Sequence, residues 1–114
     1  MTDCLFCRIV SGELTSSVVY HDEQVTAFRD IRPQAPTHIL IVPNEHLTST
    51  EEVRPEHIPL MGRLIHLAGE LARQEGIAAS GYRLVLNTGP DAGQSVGHLH
   101  LHLLGGRRFG WPPG

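Results

Sequence analysis

An alternation of histidine and leucine near the C-terminal end constrains the fold more than any other feature of this sequence. Residues 97–104 read Gly-His-Leu-His-Leu-His-Leu-Leu. Successive side chains of an extended strand point to opposite faces, so His98, His100 and His102 share one face and the intervening leucines share the other. The leucine face predicts a strand that packs on a core, and the other face brings three imidazoles to one surface.

The three histidines are too widely spaced for one metal ion to bind all of them. A strand rises about 3.3 Å per residue, which separates His98 from His102 by roughly 13 Å, whereas zinc binds nitrogen at about 2 Å. The residues leave three interpretations: two histidines share a catalytic metal, the histidines form a solvated face, or each has a different task. We favour the third, because imidazole serves as nucleophile, proton carrier or metal ligand near neutral pH.

The rest of the chain predicts one α+β domain with an antiparallel sheet. The 114 residues suffice for one modest core, and without a linker or repeat the domain is expected to span 1–114. Apolar residues at steps of three and four, including Ile58 and Ile65, predict one long helix from about Glu56 to Glu75. About five strands are predicted, at 18–20 and 25–28 as a hairpin, then at 38–42, 82–87 and the histidine segment. This order of strands and helix is typical of an α+β fold.

Charge and hydropathy limit the possible partners and location. Nine Lys plus Arg against twelve Asp plus Glu give a formal charge of -3, which offers no general attraction to nucleic acid or an anionic membrane. We find no signal peptide and no apolar run of 18 residues, so we expect a cytoplasmic protein. In that reducing setting Cys4 and Cys7 indicate metal or redox chemistry rather than a disulfide. Two cysteines supply half of a tetrahedral zinc site, so two histidines would complete it.

The segment before the histidines could hold an anion. The loop from Gly89 to Ser95 is glycine-rich and polar, and Gly93 permits a close approach of backbone N–H groups to a phosphate. Asn87 could present an amide donor to the same anion, and His38 opens a strand from which it could reach a ligand. Neutral imidazole can attack phosphorus and form a covalent intermediate that water later breaks. Each of these residues could instead have a structural role alone.

Together, these motifs resemble the histidine triad superfamily, and its Hint branch in particular. The similarity rests on Gly-Gln-Ser-x-x-His-x-His-x-His at 93–102, on Leu-Leu-Gly-Gly-Arg after it, and on the terminal Trp-Pro-Pro-Gly. It extends to Cys4-x-x-Cys7, to the segments 28–31 and 36–38, and to 87–93. In having histidine at the third position of the triad, the sequence resembles the hydrolase branches, whereas other branches have glutamine there. The resemblance therefore covers nearly the whole chain.

The resemblance implies a purine nucleoside phosphoramidase, which cleaves the P–N bond between AMP and an amine. His100 then corresponds to the nucleophile that takes up the nucleotidyl group, with the backbone carbonyl of His98 orienting its ring. The implied catalytic residues are His100, His102, Ser95 and His38. The implied nucleotide-binding residues are Phe28, Asp30, Ile31, Asn87, Gly93, Gln94, Ser95, His100, His102 and Trp111. A dinucleoside polyphosphate hydrolase and a nucleotide-binding regulatory module with little catalysis remain alternatives.

The resemblance also implies a structural zinc ion and a homodimer. Zinc-containing bacterial relatives suggest Cys4, Cys7, His46 and His98 as its ligands, and no metal is required at the phosphorus. The family fold joins the sheets of two copies, and the tail from about 105 to 114 crosses towards the partner's site. Trp111 would thereby gain a surface to rest on.

Overall fold

The computed structural model describes residues 4–114, and residues 1–3 of the expected domain lie outside the described residues. Among these described residues, one short and one long helix accompany five strands. The elements are α1 (Leu5–Val10), β1 (Val18–His21), β2 (Val25–Arg29), β3 (Thr37–Pro43), α2 (Ile58–Gln74), β4 (Tyr82–Val85) and β5 (Leu101–Gly105). Single 3-10 turns lie at Thr50–Glu52, Pro55–His57 and Pro90–Ala92. The predicted α+β class, the hairpin and the long helix are confirmed.

The five strands form one antiparallel sheet in the order β1-β2-β3-β5-β4. Strand β3 is buried along its whole length and pairs with β5, so that Leu40 lies opposite His102. Strand β4 is at one edge and places Val85 opposite His102 on the other side. Strand β5 therefore runs through the interior of the sheet, where its neighbours fix its register. It begins only at Leu101, so His102 lies in the strand, whereas His98 and His100 precede it, unlike in the predicted strand over 97–104.

Helix α2 covers the leucine face of the sheet. Its buried residues Leu64, Leu67 and Leu71 belong to the same core as Leu101 and Leu103. Pro59 fits the first turn, where its missing N–H has no partner to lose. Gly76 follows the helix with φ of 75°, a left-handed conformation that glycine adopts without strain.

The stripe of α2 that faces the core is rotated from the predicted one. Ile58 and Ile65, which the spacing assigns to the apolar stripe, are 64% and 59% exposed, whereas Leu64 and Leu67 are at its centre. A helix with apolar residues over most of its surface permits either orientation, and packing decides between them. The rotation leaves an apolar strip on the outside of α2.

The histidine face is covered from two sides and open between them. Helix α1, which the sequence pattern did not predict, packs Phe6 and Ile9 against Phe28, Leu40 and Val42. On the other side the tail lies over β4, where the Arg83 guanidinium donates to the carbonyl of Gly110. Within the described residues no helix is long and apolar enough to cross a membrane.

Candidate functional site

His98 belongs to a compact group of four possible metal ligands. Sγ of Cys4 lies 3.2 Å from Nδ1 of His98, and Sγ of Cys7 lies 3.3 Å from Nδ1 of His46. The two imidazole Nδ1 atoms are 3.1 Å apart, and all four ligand atoms lie within 4.8 Å of one another. His98 Nε2–H donates to the carbonyl of Pro43 at 2.8 Å, which assigns the proton to Nε2 and leaves Nδ1 as the ligand atom.

The distances in this group fit zinc. Zinc binds sulfur at about 2.3 Å and imidazole nitrogen at about 2.0 Å, so the ligands of a regular tetrahedron are about 3.3 to 3.8 Å apart. The distances of 3.2, 3.3 and 3.5 Å between sulfur and nitrogen are close to that range. Two thiolates and two imidazoles would fill all four positions, which is typical of a structural site.

His100 directs an unprotonated nitrogen away from the backbone. Its Nδ1 lies 2.7 Å from the carbonyl oxygen of His98, which can only accept, so Nδ1 carries the proton. In the neutral ring Nε2 then holds a lone pair. The ring of Phe6 packs edge-on against that of His100, with centroids 5.1 Å apart. His98 thus contributes its side chain to the metal-capable group and its carbonyl to the orientation of His100.

His38 and His102 form a second, coupled pair. The backbone N–H of Gln34 donates to Nδ1 of His38, so the proton of that ring lies on Nε2. Nε2–H donates to Nδ1 of His102 at 2.9 Å, which leaves His102 with a donor at its own Nε2. Burial, with like charge at His100 and His38, lowers the pKa of His102 to about 4. Burial also lowers the pKa of His38, against the attraction of Asp30, whose Oδ2 lies 3.5 Å from Nε2.

The histidines therefore have separate environments. His98 and His100 are 0% and 4% exposed, which rules out a solvated histidine face. His98 and His102 fall in different groups of possible metal ligands. Among the described residues no group of three or more such ligands includes His100. This arrangement supports the interpretation in which each imidazole has its own task.

A cavity of about 440 Å³ opens beside His100 and His102. Its wall is mostly apolar, with Phe28 from β2 and Phe6 from α1, and Asp30 and Ser95 add polar groups. Ile31 also borders this cavity and is 88% exposed. A mostly apolar cleft with a few polar groups is the usual form of a small-molecule site.

The glycine-rich loop follows β4, and two of its glycines, Gly89 and Gly93, have positive φ. Gly93 has φ of 79°, which a side chain would strain. The side chain of Gln94 braces the loop: its amide donates to the carbonyls of Thr48 and Val96, and its oxygen accepts from Gly89 N–H. Asn87, before the loop, borders a second cavity together with His102.

Trp111 does not border the cavity of its own chain and is 84% exposed, so its expected position at the site of a partner copy stays a prediction. Two residues of the cavity wall were missed by the sequence interpretation. Phe6 and Ile9, which the sequence reasoning did not assign to the site, form its wall. Their three-residue spacing is helical, but a helix of six residues is too short to give a clear periodic signal.

Comparison with known proteins adds four findings. A family model described as "HIT domain" matches residues 11–109. The purine nucleoside phosphoramidase of Escherichia coli (strain K12) is 52% identical over 108 residues, covering 95% of this chain and 91% of that protein. The 14 kDa zinc-binding protein of Zea mays is 52% identical over 112 residues, covering 96% and 87%. A solved HIT family hydrolase from Legionella pneumophila Philadelphia 1 superimposes with a TM-score of 0.96 at 49% identity, covering 98% of this chain and all of that one.

Proposed function

The chain belongs to the HIT family, and on that premise we propose that it hydrolyses the P–N bond of adenosine phosphoramidates, in which an amine is bonded to AMP. The observation that carries the proposal is the hydrogen bond from His100 Nδ1–H to the carbonyl of His98. It leaves Nε2 of His100 as a lone-pair donor beside a cavity of nucleoside size. Similarity to the phosphoramidase of Escherichia coli supports the substrate class.

We propose a covalent mechanism in two displacements. Nε2 of His100 attacks phosphorus, the P–N bond breaks, and its electron pair goes to the amine nitrogen. The hydroxyl of Ser95, which borders the same cavity, relays a proton from water to that nitrogen. The hydroxide that this water leaves then attacks the phosphorus of the nucleotidyl-histidine, the bond to Nε2 breaks, and AMP leaves.

The remaining site residues bind and orient in this proposal. Neutral His102 donates from Nε2 to a phosphoryl oxygen, and His38 holds it in that tautomer. Asn87 and the backbone N–H groups near Gly93, braced by the Gln94 side chain, add donors to the same phosphate. Phe28 and Ile31 contact the nucleoside. Asp30 accepts hydrogen bonds from the ribose hydroxyls.

A panel of AMP-amine conjugates tests the function. The wild type should release AMP and amine, and His100→Ala should lose turnover while its affinity for AMP stays within about tenfold. Equal turnover by the variant would remove His100 from the mechanism. Hydrolysis of dinucleoside polyphosphates with none of the conjugates would favour the neighbouring hydrolase activity, and nucleotide binding without any turnover would favour a regulatory module.

We also propose that Cys4, Cys7, His46 and His98 bind a structural zinc ion. The ligand spacing supports this, as does similarity to a protein named for zinc binding. When bound, the ion would cross-link α1 to the loop before β5. Metal analysis of the purified protein should find about one zinc per chain. Cys4→Ser should lose it while retaining an acceptor for the Cys7 N–H at the start of α1, and a folded, metal-free wild type would contradict the proposal.

The site is proposed to work within a homodimer of single-domain chains. Edge strand β4 and the outer strip of α2 leave Tyr82, Leu86, Ile58 and Ile65 exposed, and a second copy would cover them. A groove of about 290 Å³ between Ile65 and Leu86 suits the same occupant, and the exposed Trp111 would reach the partner's site. Sedimentation should give a dimer for the wild type and for Ile31→Asp, but a monomer for Ile65→Asp. A monomeric wild type would contradict this.

A further inference from the structure

Two cavities meet at His102, and only one of them suits a nucleoside. The first, described above, has a mostly apolar wall and contains His100. The second has a volume of about 340 Å³ and lies between the sheet and the tail, bordered by His38, His102, Asn87, Arg83 and Arg107. His102 is common to both, so a phosphate held at His102 and Asn87 would be at their junction.

The part of the chain from residue 4 onwards contributes cationic side chains and no acidic ones to the wall of the second cavity. Arg83 and Arg107 pack on the ring of Phe109, with guanidinium carbons 5.2 and 4.3 Å from its centroid. Neither guanidinium lies in ion-pair distance of a carboxylate anywhere between residues 4 and 114. Two arginines without an acidic partner therefore lie at one cavity, in a chain whose net charge is -3.

The tail holds both guanidiniums but leaves donors available. Arg83 donates one N–H to the carbonyl of Gly110 at 2.9 Å. Arg107 donates Nε–H to the carbonyl of Gln34 and a second N–H to that of Arg108. A guanidinium has five N–H groups, so each arginine retains at least two for a ligand. Their positions are fixed before any ligand arrives, which reduces the entropy lost on binding.

The substituents of the substrate phosphorus lead to an assignment for this cavity. In the proposed reaction the phosphorus carries a nucleoside on one side and the departing amine on another. The nucleoside requires the apolar cavity with Asp30, so the amine extends past His102 into the second one. We propose that the second cavity is the leaving-group subsite and that Arg83 and Arg107 select amines that carry a carboxylate, such as amino acids.

This inference rests on the proposed phosphoramidase activity and adds the charge of the leaving group to it. Charge-assisted hydrogen bonds from arginine to a carboxylate are stronger than neutral ones, and the fork of the guanidinium can make two in parallel. A carboxylate in this subsite should raise kcat/KM by roughly tenfold to a hundredfold over a neutral amine of the same length. A cationic amine should be the poorest substrate, because both arginines repel it.

Three AMP conjugates with three-carbon amines test the inference: those of β-alanine, propylamine and 1,3-diaminopropane. The wild type should prefer them in that order by kcat/KM. Amine basicity also differs among them, so the decisive quantity is the ratio of β-alanine to propylamine turnover in each variant relative to wild type. In that double ratio the intrinsic reactivity of each conjugate cancels.

Arg83→Gln should reduce the ratio at least fivefold, and Arg83→Lys, which keeps the charge and a donor for Gly110, should retain most of it. Arg73→Gln is the matched control, because Arg73 is exposed on α2, on the other face of the sheet. It removes the same charge and should leave the ratio unchanged. An unchanged ratio in Arg83→Gln, or an equal fall in Arg73→Gln, would overturn the subsite. Hydrolysis without charge preference would overturn the subsite alone, whereas no hydrolysis of any conjugate would overturn the proposed function.

Discussion

Because His102 is partly buried beside the buried His38, the free energy of unfolding should fall as the pH is lowered, and one substitution should remove this dependence. Asn at position 102 places an oxygen near the position of Nδ1, so His102→Asn keeps an acceptor for His38 Nε2–H but removes the titrating ring. In the wild type the site disfavours the protonated form of this imidazole, whereas the variant has no titrating group there. The difference between their free energies of unfolding therefore isolates the titration of His102 from that of the other histidines, including those of the proposed zinc site.

The sign and size follow from the pKa of His102. It is lowered by burial, and by like charge at neighbouring histidines, from 6.5 to about 4 in the folded protein. Between those values the unfolded chain binds more protons than the folded one, so acid favours unfolding, whereas above pH 6.5 the group costs nothing. One pKa unit is worth about 1.4 kcal/mol, so the free energy of unfolding should fall by about 2 kcal/mol from pH 7 to pH 5 and by about 3 kcal/mol at pH 4.

Urea unfolding at pH 7, 6 and 5 measures this directly. The free energy of unfolding of wild type minus that of His102→Asn should decline by about 2 kcal/mol across the series, at matched m-values. Metal release affects both proteins alike and cancels in the difference. Curves that stay parallel within about 0.5 kcal/mol would refute the claim that His102 is held neutral by its surroundings.

Further predictions concern packing, the cavity wall and a surface ion pair. Gly105→Ala should destabilise the protein by about 1 to 3 kcal/mol in thermal or urea unfolding, because the added Cβ would meet Ile77. In Gly62→Ala on α2 the added Cβ meets no atom within 4 Å, so this variant should be more stable by about 0.5 to 1 kcal/mol. Equal effects of the two substitutions would contradict the close packing at Gly105. Phe6→Leu should raise KM for an AMP conjugate at unchanged zinc content, since the ring borders the nucleoside cavity and the ring of His100, and an unaltered KM would separate α1 from the site. Arg29→Gln should lower the free energy of unfolding by less than about 1 kcal/mol, because Arg29 is exposed and Glu75 is only partly buried, although the two side chains make two hydrogen bonds of 2.9 Å. A larger loss would show a role in folding.

The sequence predicted those strands and helices whose hydrophobic residues recur with a regular period. The alternation at 97–104 predicts a strand with leucines on the core, and Leu101 and Leu103 are buried there. The regular strand begins only at Leu101, because the preceding chain turns away from β3 and Leu99 N–H donates to the carbonyl of Leu47 instead. The orientation of α2 was not predictable, since leucines and isoleucines occupy most of its circumference and only packing selects between them.

Contacts between segments far apart in the sequence could not be predicted from local hydrophobic periodicity. The two cysteines indicated half of a metal site, but the approach of His46 and His98 depends on how β3 and the loop before β5 pair. Likewise, the tautomer of His38 is fixed by the backbone N–H of Gln34, a contact with no side-chain signature. The arginine-lined cavity forms only because the tail folds back over β4.

The most direct measurement is to capture the intermediate itself. Wild type mixed with an AMP-amine conjugate should be denatured within one turnover, without acid, and digested for mass spectrometry. The mechanism predicts one nucleotidyl group per turning-over site, attached to the imidazole of His100 and lost when water is allowed to react. Nucleotide attached to another residue, or none attached while amine is being released, would contradict it.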